Sequence, residues 1–416
     1  MFVYNLLIRL YGFVILAASF RKKKAKQWVV GRRNWKNSLS QKISKLNSEK
    51  IIWVHCASYG EFEQGRPVIE AIKNKHSDYK IILTFFSPSG YEPFKEWKGA
   101  DVIVYLPLDT HRNALDFIEI VKPKTVIFIK YEFWVNFLFC LKQQNVPTFL
   151  VSAVFKPHHP FFRWYGGVFR RSLKTFTQLF IQDEDSAILL ETIGITNYEV
   201  CGDTRFDRVL EIKENFTPIA FFEEFCEGKK VIVAGSTWPK DDELVIEAFL
   251  KINDPELKLI LVPHNIEQKN IHSLQQILEK NKTPYFLYSS KTVDPSKQVL
   301  VVDAMGLLSR LYYYSNVAYI GGGYNSGIHN CLEPAVYLKP IVFYGGDDYD
   351  RYNEAVDLLK MKAAKNVSNV EQMQSALFAF LNNSEEVKNI ETKLDVYFKK
   401  NSGTTKRVLE FIPSDL

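Results

Sequence analysis

"VAYIGGGYNSGIHNCLEPAVYLKPIVFYGG", residues 317–346, reads as a strand running into glycines, a short helix capped by Asn330, and a second strand. Pro334 falls in the first helical turn, where a missing N–H costs little. Strand, glycine loop and helix in that order form the repeating unit of a parallel sheet with crossover helices.

The same unit recurs on both sides. Upstream, "KVIVAGS", "LKLILVPH", "PYFLYS" and "QVLVVDA" are short runs rich in β-branched and aromatic residues. Further upstream "IIWVHCAS", "KIILTFF", "DVIVYLPL", "TVIFIKYE", "PTFLVSA", "LFIQD" and "YEVCGD" alternate with amphipathic stretches such as "GRPVIEAIKNK" and "HRNALDFIEIVK". Between residues 207 and 229 the alternation lapses into charged, irregular sequence, then restarts. The pattern predicts two doubly wound, Rossmann-like α/β domains facing across a cleft, with ligands at the carboxyl ends of the strands. The expected division is 1–24 anchor with basic flank, 25–210 first domain, 211–229 linker and 230–383 second domain. Helices over 384–416 follow and are expected to pack back on the first domain.

The chain has 416 residues and a formal charge of +6. Residues 1–48 hold eleven Lys and Arg and no acid; subtracting them from +6 leaves −5 on residues 49–416. A mildly acidic body with a basic head argues against a general nucleic-acid binder. The first twenty residues are apolar except Asn5, Arg9 and Ser19, and as a helix would reach roughly 30 Å. The charge cluster follows the apolar run, the reverse of a signal peptide. Residues 1–36 therefore read as a membrane-lipid anchor, spanning or lying in the interface, with the body in the cytoplasm. The competing reading is a buried helix followed by a solvated basic loop. Five scattered cysteines, none in a C-x-x-C pair, suit a reducing compartment.

Several turns carry candidate chemistry. Gly321, Gly322, Gly323 and Gly327 before a helix N-terminus suit a phosphate, held by free N–H groups and the helix dipole, with Glu333 toward a ribose diol. A tight turn with an Asn330–Glu333 capping box is the alternative. Ser236 and Thr237 in "GSTWPKDDE" either donate to a phosphate or cap a helix. In "HCASYGEFEQG", Glu61 after Gly60 is a general-base candidate, yet Ser58-x-x-Glu61 is also a capping-box spacing. Glu132, ending an apolar strand in "IKYEFWVNFL", needs a partner or a ligand, a salt bridge at the sheet edge being the alternative. Arg163, Arg170 and Arg171, among aromatics, could meet lipid or an anionic acceptor, or simply face solvent. The histidines are dispersed, and the acids at 183–185, 241 and 347 look like first-turn residues. No metal is expected, and no nucleophile elbow is present.

Taken together, these residues resemble the Kdo transferases, membrane-anchored GT-B glycosyltransferases of lipid A core assembly that use the CMP ester of 3-deoxy-D-manno-octulosonic acid. "VHCASYGEFEQGRPVIEAI" resembles their S-x-G-E stretch, "YEFWVN" their E-x-E-x-W-P-N, "GDTRFD" their G-N-x-K-F-D, and "GIHNCLEPAVYLKPIVFY" their G-G-H-N-x-L-E-P-A. "LTFFSPSGYE" with "YLPLD" resembles T-x-T-x-T-G and Y-x-P-x-D. Lys130 stands where the family has the first Glu of E-x-E, Val135 replaces its Pro, and "PHN" at 263–265 replaces P-R-H.

The resemblance implies CMP-Kdo as donor, lipid A precursor as acceptor, no cofactor and the cytoplasmic face of the inner membrane. It makes Glu61 the base, with Glu132 a second catalytic group and Ser58 and Gly60 beside the acceptor. It adds Pro263, His264, Met305, Gly306 and His329 to the nucleotide residues. Rival expectations are a GT-B transferase with another donor, a sugar-nucleotide epimerase, and a tethered glycan or nucleotide binder.

Overall fold

The computed structural model describes residues 1–324, 327–346 and 349–412. It divides into two compact units, residues 1–208 with 401–416, and residues 209–400.

In the first unit, three helices (Phe2–Ala18, Lys23–Val30, Trp35–Ser44) precede a seven-stranded sheet. Its strands are β1 (Ile51–Cys56), β2 (Lys80–Phe85), β3 (Val102–Tyr105), β4 (Thr125–Ile129), β5 (Thr148–Ala153), β6 (Gln178–Ile181) and β7 (Tyr198–Val200). The order is β3-β2-β1-β4-β5-β6-β7, with every pairing parallel. Every residue of β1, β4 and β5 is buried, because crossover helices cover both faces. The His111–Val121 helix shows how. Thr110 caps it by accepting from the Asn113 amide at 3.3 Å, and Ala114, Phe117, Ile118 and Val121 face the sheet. There Trp53 packs on Phe117, Phe128 and Phe137 with ring centroids 4.8–5.6 Å apart, each pair adding about 0.5–1.5 kcal/mol beyond its burial.

The second unit holds β8 (Lys230–Thr237), β9 (Leu257–Pro263), β10 (Tyr285–Leu287), β11 (Val299–Val301), β12 (Val317–Ile320), β13 (Ile341–Phe343) and β14 (Ala364–Asn366). Their order is β10-β11-β9-β8-β12-β13-β14, again parallel throughout. The sequence alternation thus predicted both sheets. Each order reverses once beside its first strand, between β1 and β4 and between β8 and β12. Those carboxyl ends are where doubly wound sheets bind ligands.

Four expectations change. First, the expected linker 211–229, within the irregular stretch 207–229, is largely helical: helices Thr204–Glu214 and Ala220–Cys226 run through it, and the aromatics that broke the pattern, Phe222 and Phe225, are core residues. Second, the helix after the glycines is the four-residue Leu332–Ala335. Asn330 still accepts from the Leu332 amide at 3.1 Å. Third, no helix among the described residues is long and apolar enough to cross a membrane. At 17 residues, Phe2–Ala18 is about 25 Å long. It is not a core helix either, since none of its residues is buried. Its Tyr4, Asn5, Ile8, Gly12 and Ile15 side is half-covered by the body, and a Cβ on Gly12 would meet Leu108 at 2.8 Å. Fourth, Ser384–Asn401 stays with the second unit through Lys400, while Thr404–Glu410 packs on the Tyr59–Lys75 helix of the first. Asp183 does cap its helix, accepting from Ser186 N at 2.8 Å. Asp347 lies outside the described residues.

Candidate functional site

The first group of candidates sits at the carboxyl ends of β1 and β4. β1 passes through Ala57 and Ser58 into the Tyr59–Lys75 helix, placing Glu61 in its first turn. Ser58 makes no side-chain cap bond; its hydroxyl donates to the Glu61 carboxylate. The capping box suggested by the spacing is therefore not formed, and Glu61 is held by a neighbour on its own turn. A Cβ on Gly60 would meet nothing within 4 Å, so the space beside the backbone one residue before Glu61 is open.

Glu132 lies three residues past β4, its side chain 12% exposed. It is no sheet-edge ion pair. Its Oε2 lies 3.0 Å from Nε2 of His55 and accepts from Trp134 Nε1 at 2.6 Å. His55 is fully buried in β1, with Nδ1 2.8 Å from Thr84 Oγ1. Thr84 in turn accepts from Trp53 Nε1 at 2.8 Å. An indole N–H only donates, so the Thr84 hydroxyl hydrogen is available to Nδ1, while Nε2 faces both Glu132 Oε2 and the Trp134 N–H, each at 3.0 Å. Sequence reading passed over His55 because an isolated histidine in a strand resembles any core histidine; its place at the last turn of the switch-point strand was the available signal. Below both acids, Cys56 is fully buried, and burial, then the charges of Glu61 and Glu132, push its thiol well above the ordinary range. Lys130, two residues before Glu132, has φ +65°, and Ser152 in β5 has φ +56°. Left-handed backbone at non-glycine residues is costly and concentrates at functional turns.

Of the basic loop, Arg170 is committed structurally: its Nη1 donates to the carbonyls of Phe161 at 3.0 Å and Arg163 at 2.9 Å. Arg163 and Arg171 are exposed, beside Trp164 at 92% exposure.

The second group surrounds β8 and β12. The glycines admit the protein's own chain. A Cβ on Gly321 would lie 2.5 Å from the Ser236 carbonyl, on Gly323 1.5 Å from the Tyr344 carbonyl, and on Gly327 1.6 Å from the Tyr352 hydroxyl. Gly322 and Gly327 also need φ of +101° and +94°. The expected cradle of free amides is corrected accordingly. Gly321 N donates to Gly235 O at 2.9 Å, Gly322 N to Asp241 Oδ2 at 3.0 Å, and Gly327 N to Gly322 O at 3.1 Å.

Asp241 organises this loop. It is fully buried and also accepts from Tyr319 Oη at 2.6 Å and Trp238 N at 3.0 Å. Burial raises its carboxyl above the usual range, against the pull of those donors. The sequence showed it as an ordinary first-turn acid because Trp238, not Ser or Thr, stands at the N-cap, and only the Trp238 N–H to Asp241 half of a capping box forms. Next to it, burial pushes Asp242 up to about 7.

Trp238, His264 and His329 form a stack, with centroids 4.9 Å and 4.5 Å apart. Burial and the neighbouring His264 push His329 down to about 4, so it is neutral at pH 7. His329 Nε2 and Trp238 Nε1 are buried with no partner among the described residues. Buried polar atoms are rarely left so, and a polar ligand would satisfy them.

The structure therefore brings Ser236, Thr237, His264, Gly321, Gly322, Gly323, Gly327 and His329 together, with Pro263 opposite Thr237 in the sheet register. Ser236 itself has φ +54°. Asn330 donates to Glu333 at 3.4 Å. Met305, 70% exposed, and Gly306, at φ +78°, lie on a separate segment after β11.

Residues 32–208 match the family described as 3-Deoxy-D-manno-octulosonic-acid transferase (kdotransferase). Over 353 residues the chain is 30% identical to the 3-deoxy-D-manno-octulosonic acid transferase of Aquifex aeolicus, covering 83% of this chain and 90% of that one. It is 25% identical to the Haemophilus influenzae enzyme of that name, covering 87% and 86%. A bifunctional glycosyltransferase/methyltransferase of Fusobacterium nucleatum is 26% identical across 96% of this chain, which spans 61% of that protein's length. Among solved structures, the UDP-GlcNAc 2-epimerase of Neisseria meningitidis superposes with a TM-score of 0.61 at 16% identity, covering 87% and 98%. That likeness is one of fold alone. Sequence kinship and fold together give one conclusion: the chain belongs to the 3-deoxy-D-manno-octulosonic acid transferase family, a family of glycosyltransferases.

Proposed function

We propose that the protein transfers Kdo from CMP-Kdo to a lipid A precursor with inversion, Glu61 acting as general base. The acceptor hydroxyl gives its proton to Glu61 as its oxygen attacks the anomeric carbon. The carbon–oxygen bond to CMP breaks on the opposite face, and CMP leaves with the electron pair. Glu132, fixed by His55 and Trp134, orients the acceptor. The nucleotide belongs to the second unit, where the orphaned nitrogens of Trp238 and His329 suit its polar groups. Protein dipoles stabilise the single phosphate of the leaving group, so a chelator leaves the rate unchanged. The observation that carries this reading is Glu61 in the first turn of its helix at the end of β1, its carboxylate bonded to Ser58, one residue after the open space at Gly60.

The N-terminal helix supplies the membrane contact by lying in the interface on the cytoplasmic side. Its outward face is Phe2, Val3, Leu6, Leu7, Leu10, Phe13 and Val14, all exposed, and the Lys and Arg of residues 21–36 meet anionic lipid.

The test is direct. Incubated with CMP-Kdo and a tetraacylated lipid A precursor, with and without chelator, the protein adds the mass of one or more Kdo residues to the lipid. Glu61→Gln keeps its circular dichroism and loses turnover. No mass gain, or a Glu61→Gln variant at full rate, overturns the reading.

A further inference from the structure

We propose that the N-terminal helix is a strut of the catalytic segment 132–137, with Tyr4 and Tyr11 as positioning residues, and not merely a tether. The inference rests on the reading of Glu132 as a catalytic group.

Two routes lead from one side of the helix to that segment. The first is polar. Tyr4 Oη donates to Asp109 Oδ2 at 2.5 Å and accepts from Val135 N at 3.4 Å. Asp109, fully buried, also accepts from Asn136 N and Phe137 N, both at 3.1 Å. One carboxylate thus ties Tyr4 to the first turn of the Val135–Gln143 helix, which begins three residues after Glu132. Asn5 adds a parallel tie, its Oδ1 accepting from Asn136 Nδ2 at 2.9 Å.

The second route is aromatic. Tyr11 stacks on Phe86 with centroids 6.0 Å apart and meets Trp28 edge-on at 6.4 Å. Phe86 lies on Trp134 at 4.5 Å, and Trp134 donates to Glu132 at 2.6 Å. Arg32 clamps the same ring from behind. It donates to the Phe86 carbonyl at 2.7 Å and the Leu106 carbonyl at 2.8 Å, with its guanidinium 3.9 Å over Trp28.

Tyr4, Asn5 and Tyr11 fall on one face of the helix, at helical spacing. A tether needs only its apolar outer face, and polar groups on a lipid-bound helix cost free energy unless they are bonded. Here those groups are bonded to the frame around Glu132. A misplacement of about 1 Å at a catalytic group can cost up to about a hundredfold in rate, so loosening either route is legible in turnover.

The experiment uses the full chain as the double variant Tyr4→Phe/Tyr11→Leu, with sedimentation on vesicles of mixed neutral and anionic phospholipid. Turnover is read on detergent-dispersed lipid A precursor with CMP-Kdo. The strut predicts unchanged vesicle binding and kcat lower by about tenfold or more, with a smaller change in KM. Tyr11→Phe, which keeps the ring, restores the rate relative to Tyr11→Leu. Should the double variant not fold, Tyr4→Phe alone, which removes one oxygen, carries the same reading. A folded double variant within about twofold of the wild-type kcat overturns the strut, as does loss of vesicle binding in step with the rate. Glu132→Gln in the same assay separates the two ideas. If it is inactive while the tyrosine variants are fully active, the strut alone falls; if it is fully active, the role of Glu132 falls with it.

Discussion

Nε2 of His55, a residue with no exposed surface, lies 3.0 Å from the carboxylate of Glu132. His55 lies in β1 and Glu132 three residues past the adjacent β4, at the point where the first sheet reverses its order. Behind His55, Thr84 and Trp53 complete a chain of hydrogen bonds, so the imidazole is fixed in orientation. Thr84→Val removes the middle link. We expect turnover to fall about ten- to a hundredfold as Glu132 loses its alignment. The Trp53 N–H, left without an acceptor, lowers stability by about 1–3 kcal/mol. Denaturant titration and single-turnover rates check the two effects separately, and unchanged turnover would remove His55 from the site.

The glycines divide by what faces them. Gly323→Ala places a methyl 1.5 Å from the Tyr344 carbonyl, where backbone must move, and is expected to cost about 1–3 kcal/mol or more. Gly60→Ala meets no atom within 4 Å and is expected to keep or gain stability, by about 0.4–1 kcal/mol. Its turnover nevertheless falls, because the methyl takes space beside Glu61. Melting curves and initial rates on the two variants check this contrast.

Acidity in the interior sets a pH dependence of stability. Burial raises Asp109 to about 6 and Asp242 to about 7, from the ordinary 3.8. In both, the folded state binds the proton more tightly than the unfolded chain. The stabilisation is therefore present in full below about pH 4 and is lost as pH rises through 6 and 7. From Asp109 alone the loss is about 3 kcal/mol. The melting temperature should fall between pH 5 and pH 8, and Asp109→Asn should flatten part of that slope.

Charge on the outer face of the first helix should release the protein from lipid and leave its fold intact. Leu6 and Leu10 are 56% and 55% exposed. Leu6→Asp/Leu10→Asp is expected to abolish sedimentation with anionic vesicles while changing stability by no more than about 0.5 kcal/mol. Retained vesicle binding would move the contact to the basic segment or the Trp164 loop.

The two sheets were readable because buried parallel strands leave near-continuous apolar runs, and β1, β4, β8 and β12 all do so. The helices at 204–214 and 220–226 were not, because Phe222 and Phe225 face a core that only the tertiary structure supplies. At the site, Glu61 and Glu132 stood out as acids at strand ends. His55, Asp241 and Tyr4 did not, since each draws its meaning from partners 29 to 105 residues away. The glycine run was legible as a place of close approach, while the protein's own part in that approach was not. The bare Cα atoms face Ser236, Tyr344 and Tyr352, contacts no local pattern encodes.

The return of residues 401–412 to the first unit has a consequence for synthesis. Gly202 lies against the Asn401 carbonyl, where a Cβ would come within 2.3 Å, and Asp207 accepts from Gly403 N at 2.6 Å and Thr405 N at 2.7 Å. Val408 and Ile412 complete the same apolar cluster as Ile52, Phe62 and Ile127. On the ribosome, then, the part made first waits for about 190 further residues, roughly 10 to 40 seconds of translation, before its hydrophobic interior can close.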